Sequence, residues 1–126
     1  MKMKKLLLAL CLASVLSAPA WAANLWQYNS YTQVDMDSAK VIMDKGSKVL
    51  SFNTIETIGD SKSYCVYVYN IDDQTIQIKE MKTISSKLSY TSNFWPSSIK
   101  NGSAVVQERA AMANAVLAQK EAAHKK

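Results

Sequence analysis

The stretch that most constrains the fold is residues 64–81, where two β-forming runs flank a polar connection. The runs, residues 64–69 and 75–79, are rich in Val, Ile, Tyr and Thr, whose side chains suit a pleated, half-buried surface. The connection, residues 70–74, contains Asn and Asp, which favour turns because their side chains hydrogen-bond to nearby backbone. The pattern therefore predicts an antiparallel hairpin in the middle of the chain.

The first 22 residues have the pattern of a cleaved signal peptide. Residues 1–5 are basic, and residues 6–16 form an apolar run that is too short to span a bilayer as a helix. Small residues at Ala20 and Ala22 place the cleavage after Ala22, and a cut after Ala20 is the alternative. We therefore assign residues 1–22 to the signal and residues 23–126 to a single domain.

Cys11 raises the question of a lipid anchor, because a lipidated Cys follows a short apolar run in bacterial lipoproteins. The residue before it is Leu10, where lipoprotein processing requires a small side chain. We therefore expect an exported bacterial protein in the periplasm, on the cell surface or in the medium. It should carry no lipid and should not insert stably into the membrane after signal cleavage.

Charge and cysteine content narrow the classes of partner. Removal of Lys2, Lys4 and Lys5 with the signal lowers the net charge from +5 to +2, and no basic stripe alternates with aromatic residues. This balance argues against nucleic acid as a partner. Cys65 is the only cysteine after residue 22, so no internal disulfide can form and stability must come from packing.

Short connections between the remaining β-forming runs favour antiparallel neighbours. Gly46 and Gly59 can supply the positive φ that tight turns need. The pattern predicts strands within 24–36, at 41–43 and at 48–58, with turns at Asp37-Ser38, at 44–47 and at 59–62.

Residues 85–102 break this pattern and form a Ser- and Asn-rich loop. The loop is long for a compact domain, so it either hides a short strand at 87–91 or has a function of its own. It carries Tyr90, Phe94 and Trp95, with two interpretations open. The aromatic side chains either close one end of the core as a flap or form an exposed binding surface.

The last segment, residues 104–123, has neither Gly nor Pro and is predicted to be a helix with Ser103 as its N-cap. Arg109 and Lys120 fall within its apolar stripe, and we expect their charged ends to reach water at the rim. Strands followed by one helix predict an α+β domain, an antiparallel sheet of about five or six strands with the C-terminal helix on one face. The apolar stripe consists of Val105, Val106, Ala110, Met112, Ala113, Val116 and Leu117.

No pattern in the chain indicates catalysis, a metal site or a cofactor site. A nucleophilic pair of Cys65 and His124 is disfavoured, because His124 lies in a C-terminal end that should fray. The acidic pairs Asp35 with Asp37 and Asp72 with Asp73 lack the glycine and closing Glu of a calcium loop, so turn formation explains them better. We therefore expect a protein that is not an enzyme and that binds no cofactor.

The order of several segments resembles the surface-adhesin protein E family. The resemblance rests on residues 31–41, residues 48–55, the strand 75–84, the region of Trp95 and the Ala-rich terminal helix. It implies an antiparallel sheet with a packed helix. It also implies an adhesin that binds host matrix or serum proteins such as vitronectin and laminin. No family binding residue can be placed on this chain.

Two functional classes follow from these observations. The first is an exported adhesin-type module that binds a host matrix or serum protein, and the alternative is a non-enzymatic periplasmic accessory protein that binds a bacterial envelope partner. The partner surface is predicted to combine the aromatic loop with basic residues near the helix ends. Its residues are Phe94, Trp95, Lys100, Lys120, Lys125 and Lys126.

Overall fold

The computed structural model describes residues 24–124, and the side chains of residues 24–123. The predicted signal peptide, its cleavage site and the two terminal lysines lie outside this range. Within residues 24–124, seven strands and one helix follow in chain order. They are β1 (Leu25–Gln27), β2 (Thr32–Asp44), β3 (Ser47–Ile58), β4 (Ser61–Asn70), β5 (Thr75–Ile84), β6 (Ser89–Ser92), β7 (Ser97–Ser98) and α1 (Ala104–His124).

The strands form one antiparallel sheet in the order β1-β2-β3-β4-β5-β6, and the two-residue β7 also pairs with β5. The predicted α+β class, with an antiparallel sheet and a packed C-terminal helix, is confirmed. The central hairpin is β4 and β5, in which Tyr67 lies opposite Ile78. Of the two alternatives for the loop 85–102, the hidden short strand is present as β6, which pairs with residues 81–84 of β5.

Turn chemistry explains the tight connections of the sheet. Between β2 and β3, Lys45 has a φ of 53° and Gly46 a φ of 85°, which are the two positive values of a type I′ hairpin turn. Gly59 has a φ of 61° between β3 and β4. In the connection 71–74, the backbone N–H of Asp73 donates to Asn70 Oδ1 at 2.8 Å. The predicted turns at 44–47 and 59–62 are confirmed.

The predicted turn at Asp37-Ser38 is wrong, because β2 continues through these residues with a break in register between Asp35 and Lys40. The hydroxyl of Ser38 donates to the backbone oxygen of Asp35 at 2.6 Å and accepts from the N–H of Asn53 at 2.8 Å. Asp35 Oδ1 accepts from the N–H of Asp37 at 3.1 Å. Asp and Ser side chains often stabilise turns, but in β2 the side chains of Asp35 and Ser38 stabilise a bulge in a continuous strand.

The core lies between α1 and one face of the sheet. From the sheet it takes alternate residues, among them Leu50 and Phe52, both fully buried. The rings of Phe52 and Tyr67 stack with centroids 5.2 Å apart. Helix α1 begins where predicted, with Ser103 Oγ accepting from the N–H of Val106 at 3.3 Å. From the helix the core takes Ala110, Met112, Ala113 and Val116, with Val106 and Leu117 packed against them.

One residue of the predicted stripe does not belong to the core. Val105 is 53% exposed, because the first turn of α1 lies at the border of the sheet beside an open cleft. At the other end of the helix, Lys120 is half-buried and its Nζ donates to the backbone oxygen of Met36 at 3.4 Å. The helix therefore covers the middle of the sheet and leaves a depression under its N-terminal half.

Candidate functional site

The outer side of β5 holds the aromatic loop in place. β6 pairs with residues 81–84 of this strand and β7 with Thr75 and Ile76, so residues 77–80 have no regular strand partner on that side among the described residues. Three hydrogen bonds to the loop occupy this gap. The N–H of Phe94 donates to the carbonyl oxygen of Ile78 at 3.2 Å, and Gln77 Nε2 donates to the carbonyl oxygen of Phe94 at 2.8 Å. Asn93 Nδ2 donates to the carbonyl oxygen of Lys79 at 2.8 Å.

Trp95 is the most exposed large apolar side chain among the described residues, with 89% of its surface accessible. The loop is tied to β5 on both sides of it, since Phe94 is bonded before it and β7 pairs after it. The structure therefore places Trp95 outside the core and does not show it as a plug. Of the other loop aromatics, Phe94 is 40% and Tyr90 50% exposed.

Two adjoining depressions lie between this loop, the helix and the sheet. The Trp95 groove, with a volume of about 250 Å³, is lined by Trp95, Phe94 and Val106 together with Ile76, Ile78, Ser97 and Arg109. The Arg109 cleft, with a volume of about 450 Å³, opens between the first half of α1, the connection from β1 to β2, the end of β3 and the middle of β4 and β5. Because Ile78 and Arg109 line both, the two depressions are neighbours.

Exposed apolar side chains collect around these depressions. Tyr31, Ile58 and Val105 line the Arg109 cleft, and Phe94 and Trp95 line the Trp95 groove. All five are at least 40% exposed. An apolar rim around a concave surface is the arrangement that suits recognition of a partner's side chains.

The floor of the Arg109 cleft brings charged and polar groups together. Arg109 is the only arginine in the chain and is half-buried, and it lines the cleft together with Tyr67. Half-buried Glu56 and exposed Glu108 also line the cleft. The cleft thus offers both signs of charge below an apolar rim.

Two titratable groups on this floor are held in their neutral forms by their surroundings. Burial raises the pKa of the Cys65 thiol to about 11, against a smaller lowering by a hydrogen bond with Thr54. Burial also raises the pKa of Tyr67, although the positive charge of Arg109 acts in the opposite direction. A thiol with such a pKa is a poor nucleophile near neutral pH.

The structure brings some of the predicted partner residues together and separates others. Phe94 and Trp95 adjoin the helix at Val106, and exposed Lys100 lies four residues before its start. Lys120 lies fourteen residues beyond Val106, about 21 Å along the helix axis. There it lines a separate depression with Trp26 and Met36. Lys125 and Lys126 lie outside the described residues.

The sequence pattern does not mark Arg109 as the centre of a cleft. The pattern predicts Arg109 within the apolar stripe of α1 with its charged end at the rim, and in the structure Arg109 lines the cleft. A single arginine within an apolar stripe was the available signal. Glu108 is the neighbour of Arg109 on α1, but the placement of Glu56 and Tyr67 in the same cleft depends on how the strands pair, which the sequence pattern does not give.

Within residues 24–124, no group of three or more His, Cys, Asp or Glu side chains is placed to hold a metal ion. In the same part of the chain, no helix is both long enough and apolar enough to cross a membrane. Comparison with known proteins finds no matching family model, no matching curated protein and no matching solved structure.

Proposed function

We propose that this chain is an exported, non-enzymatic protein-binding module whose partner surface is formed by the Trp95 groove and the Arg109 cleft. The observation that carries the proposal is the exposure of Trp95, 89%, on a loop whose backbone is bonded to β5. A large aromatic side chain held in place brings contact area to a partner and loses little entropy on binding.

The class of partner follows from the resemblance to the surface-adhesin protein E family. An adhesin-type module binds a host matrix or serum protein, and vitronectin and laminin are the first candidates. The exposed apolar rim and the charged floor suit a protein surface better than nucleic acid, since the cleft contains Glu56 and Glu108 beside Arg109.

The test measures binding of the secreted or periplasmic protein to immobilised vitronectin and laminin. Wild type should bind at least one of them, and Trp95→Ala should weaken binding at least about tenfold with little change in melting temperature. Leu88→Ala is the matched control, because Leu88 is 64% exposed but lines neither depression. Equal affinities of Trp95→Ala and Leu88→Ala for the matrix protein would show that Trp95 is not part of the partner surface.

The basic residues near the helix end need a separate variant. A chain ending at Ala122 removes Lys125 and Lys126, and it should associate with the partner more slowly in a salt-dependent manner. If the wild-type protein binds neither matrix protein, the adhesin proposal fails and the alternative, a periplasmic accessory protein, takes its place. The intact mass of the purified protein tests whether the signal peptide is cleaved. The expected mass is that of a chain that begins at Ala23 and carries no lipid.

A further inference from the structure

The second surface of interest is the outer edge of β2, beyond the short strand β1. β1 pairs with β2 only from Gln33 to Asp35, and Met36 N–H donates to Asn24 O at 2.9 Å. From Lys40 to Asp44, β2 pairs with β3 on its inner side, while no other described strand pairs with it on its outer side. A strand edge of this kind can pair with another chain.

This edge is unusually apolar. Val41 is 41%, Ile42 49% and Met43 69% exposed, and the three follow one another along the strand. Val41 and Met43 lie opposite Leu50 and Lys48 on the helix side of the sheet, whereas Ile42 lies opposite Val49 on the other side. Apolar side chains are therefore exposed on both faces of the edge.

The backbone direction at this edge can be read from Lys48, which lies opposite Met43. The N–H of Lys48 donates to Asp72 Oδ2 at 2.7 Å and its carbonyl oxygen accepts from Ile71 N–H at 2.9 Å. Both bonds point away from β2, so Met43 and Lys48 form a non-hydrogen-bonded pair. Because such pairs alternate along an antiparallel ladder, the N–H and C=O groups of Met43 and Val41 face outwards.

We infer that this edge is the contact between two copies of the chain, which pair antiparallel about a two-fold axis at Ile42. In that register Val41 lies opposite the partner's Met43, and their outward backbone groups form the hydrogen-bonded pairs. Ile42 lies opposite its own copy, and Lys40 lies opposite the partner's Asp44. Each side chain from Lys40 to Asp44 thus meets either an apolar neighbour or the opposite charge.

The neighbouring registers lack this complementarity. An axis at Met43 would place Ile42 opposite the partner's Asp44, and an axis at Val41 would place Lys40 opposite the partner's Ile42. Self-complementarity of apolar and charged positions therefore selects one register and a second copy as the occupant. The contact involves five residues of each chain, so the dimer should be weak and concentration-dependent.

The dimer contact is independent of the proposed partner surface. The Trp95 loop lies against β5, and β3 and β4 separate β5 from β2, which is three strand spacings or about 14 Å. Two copies joined at β2 would leave both Trp95 grooves open. A failure of the dimer would therefore leave the binding experiment intact, and the reverse also holds.

Sedimentation velocity on the chain beginning at Ala23 tests the inference over concentrations from about 10 μM to about 1 mM, a range suited to weak contacts. The weight-average sedimentation coefficient should rise with concentration towards that of a dimer. Lys40→Asp and Asp44→Lys should each weaken association at least about tenfold, since each places like charges opposite one another. An equimolar mixture of the two variants should associate again, because opposite charges then meet at both ends.

Ile42→Lys should also prevent association, because it places two like charges on the axis. Lys87→Asp is the control, since Lys87 is exposed and lies outside the edge. Thermal melts establish that each variant is folded. A sedimentation coefficient independent of concentration would overturn the inference. So would association that survives Ile42→Lys, or a mixture of the two charge variants that stays monomeric.

Discussion

The backbone N–H of Phe94 donates to the carbonyl oxygen of Ile78 at 3.2 Å, and this bond fixes the residue directly before Trp95. Gln77 adds a second bond from its side-chain Nε2 to the carbonyl oxygen of Phe94 at 2.8 Å. The exposed Trp95 is thus carried by backbone that is bonded in the manner of a strand. Exposure of the side chain and order of the backbone coexist at this position.

This arrangement predicts slow amide exchange at Phe94. Its N–H should exchange at least about tenfold more slowly than an unprotected amide, and Gln77→Ala should accelerate it by releasing the loop. Hydrogen exchange followed by NMR provides the measurement. Gln119→Ala, at an exposed helical glutamine, is the control and should leave Phe94 unchanged. Unprotected exchange at Phe94 in the wild type would show that the loop opens freely.

The bulge in β2 predicts a stability cost for Ser38→Ala. The substitution removes the acceptor of the part-buried Asn53 N–H, so we expect a cost of about 1 kcal/mol, at the lower end of the range for an unsatisfied donor. Ser86→Ala is the matched control, because Ser86 is exposed and its hydroxyl donates to exposed Asp60 at 2.6 Å. Its cost should stay below about 0.5 kcal/mol. Urea denaturation measures both, and equal midpoints would contradict the bridging role of Ser38.

The docking of α1 predicts a strong effect at Val116, which is fully buried. Val116→Asp places an unpaired carboxylate in the core and should remove most of the stability of a small domain. Val116→Ala should cost about 1 to 3 kcal/mol, which keeps the prediction measurable if the Asp variant does not fold. Glu121→Ala, on the exposed side of the helix, should change the urea midpoint little. Similar midpoints for Val116→Ala and Glu121→Ala would mean that the helix is not docked through this face.

The buried thiol predicts a loss of stability at alkaline pH. The pKa of Cys65 rises from an ordinary value of 9.0 to about 11 on folding, so above pH 9 the unfolded chain loses this proton while the folded chain keeps it. The contribution is fully present below pH 9 and is lost between pH 9 and about 11, by about 1.4 kcal/mol for each unit of difference. Urea denaturation at pH 8, 9 and 9.5 measures the slope.

Cys65→Ala is the comparison for this slope. The variant should be less stable overall because of the lost packing, but its stability should fall less steeply from pH 8 to 9.5. Tyr67, whose pKa burial also raises, contributes mainly at higher pH and remains in both proteins. Parallel pH profiles for the two proteins would show that Cys65 does not titrate differently in the folded state.

Local chemistry made the hairpins predictable from the sequence. Gly46 and Gly59 supply positive φ values within short polar connections, and the strands beside them are rich in β-forming residues. Asp37-Ser38 was misassigned because Asp and Ser serve a turn and a bulge equally well. In the bulge, the hydroxyl oxygen of Ser38 accepts a hydrogen bond from the N–H of Asn53, which lies fifteen residues further along the chain. Only the long-range pairing distinguishes the two structures.

The candidate site was less predictable than the fold for a similar reason. The exposure of Trp95 follows from hydrogen bonds between the loop and β5, and the sequence does not specify which strand edge is free. The distance between Trp95 and Lys120 depends on the direction of α1 across the sheet. Composition shows that aromatic and basic residues are present, but it does not show whether they lie on the same surface.

The chain order of this sheet has a consequence for how the protein acquires its structure. β2, β3, β4 and β5 each pair with their neighbours in sequence, whereas α1 contacts β2 across a separation of 84 residues between Met36 and Lys120. Local pairings close quickly and long-range ones slowly. The hairpins should therefore form while the core face is still bare, and the core is completed only when α1 docks on the sheet. Until then the apolar face of the sheet is exposed, and chaperones that bind apolar strands should bind the chain.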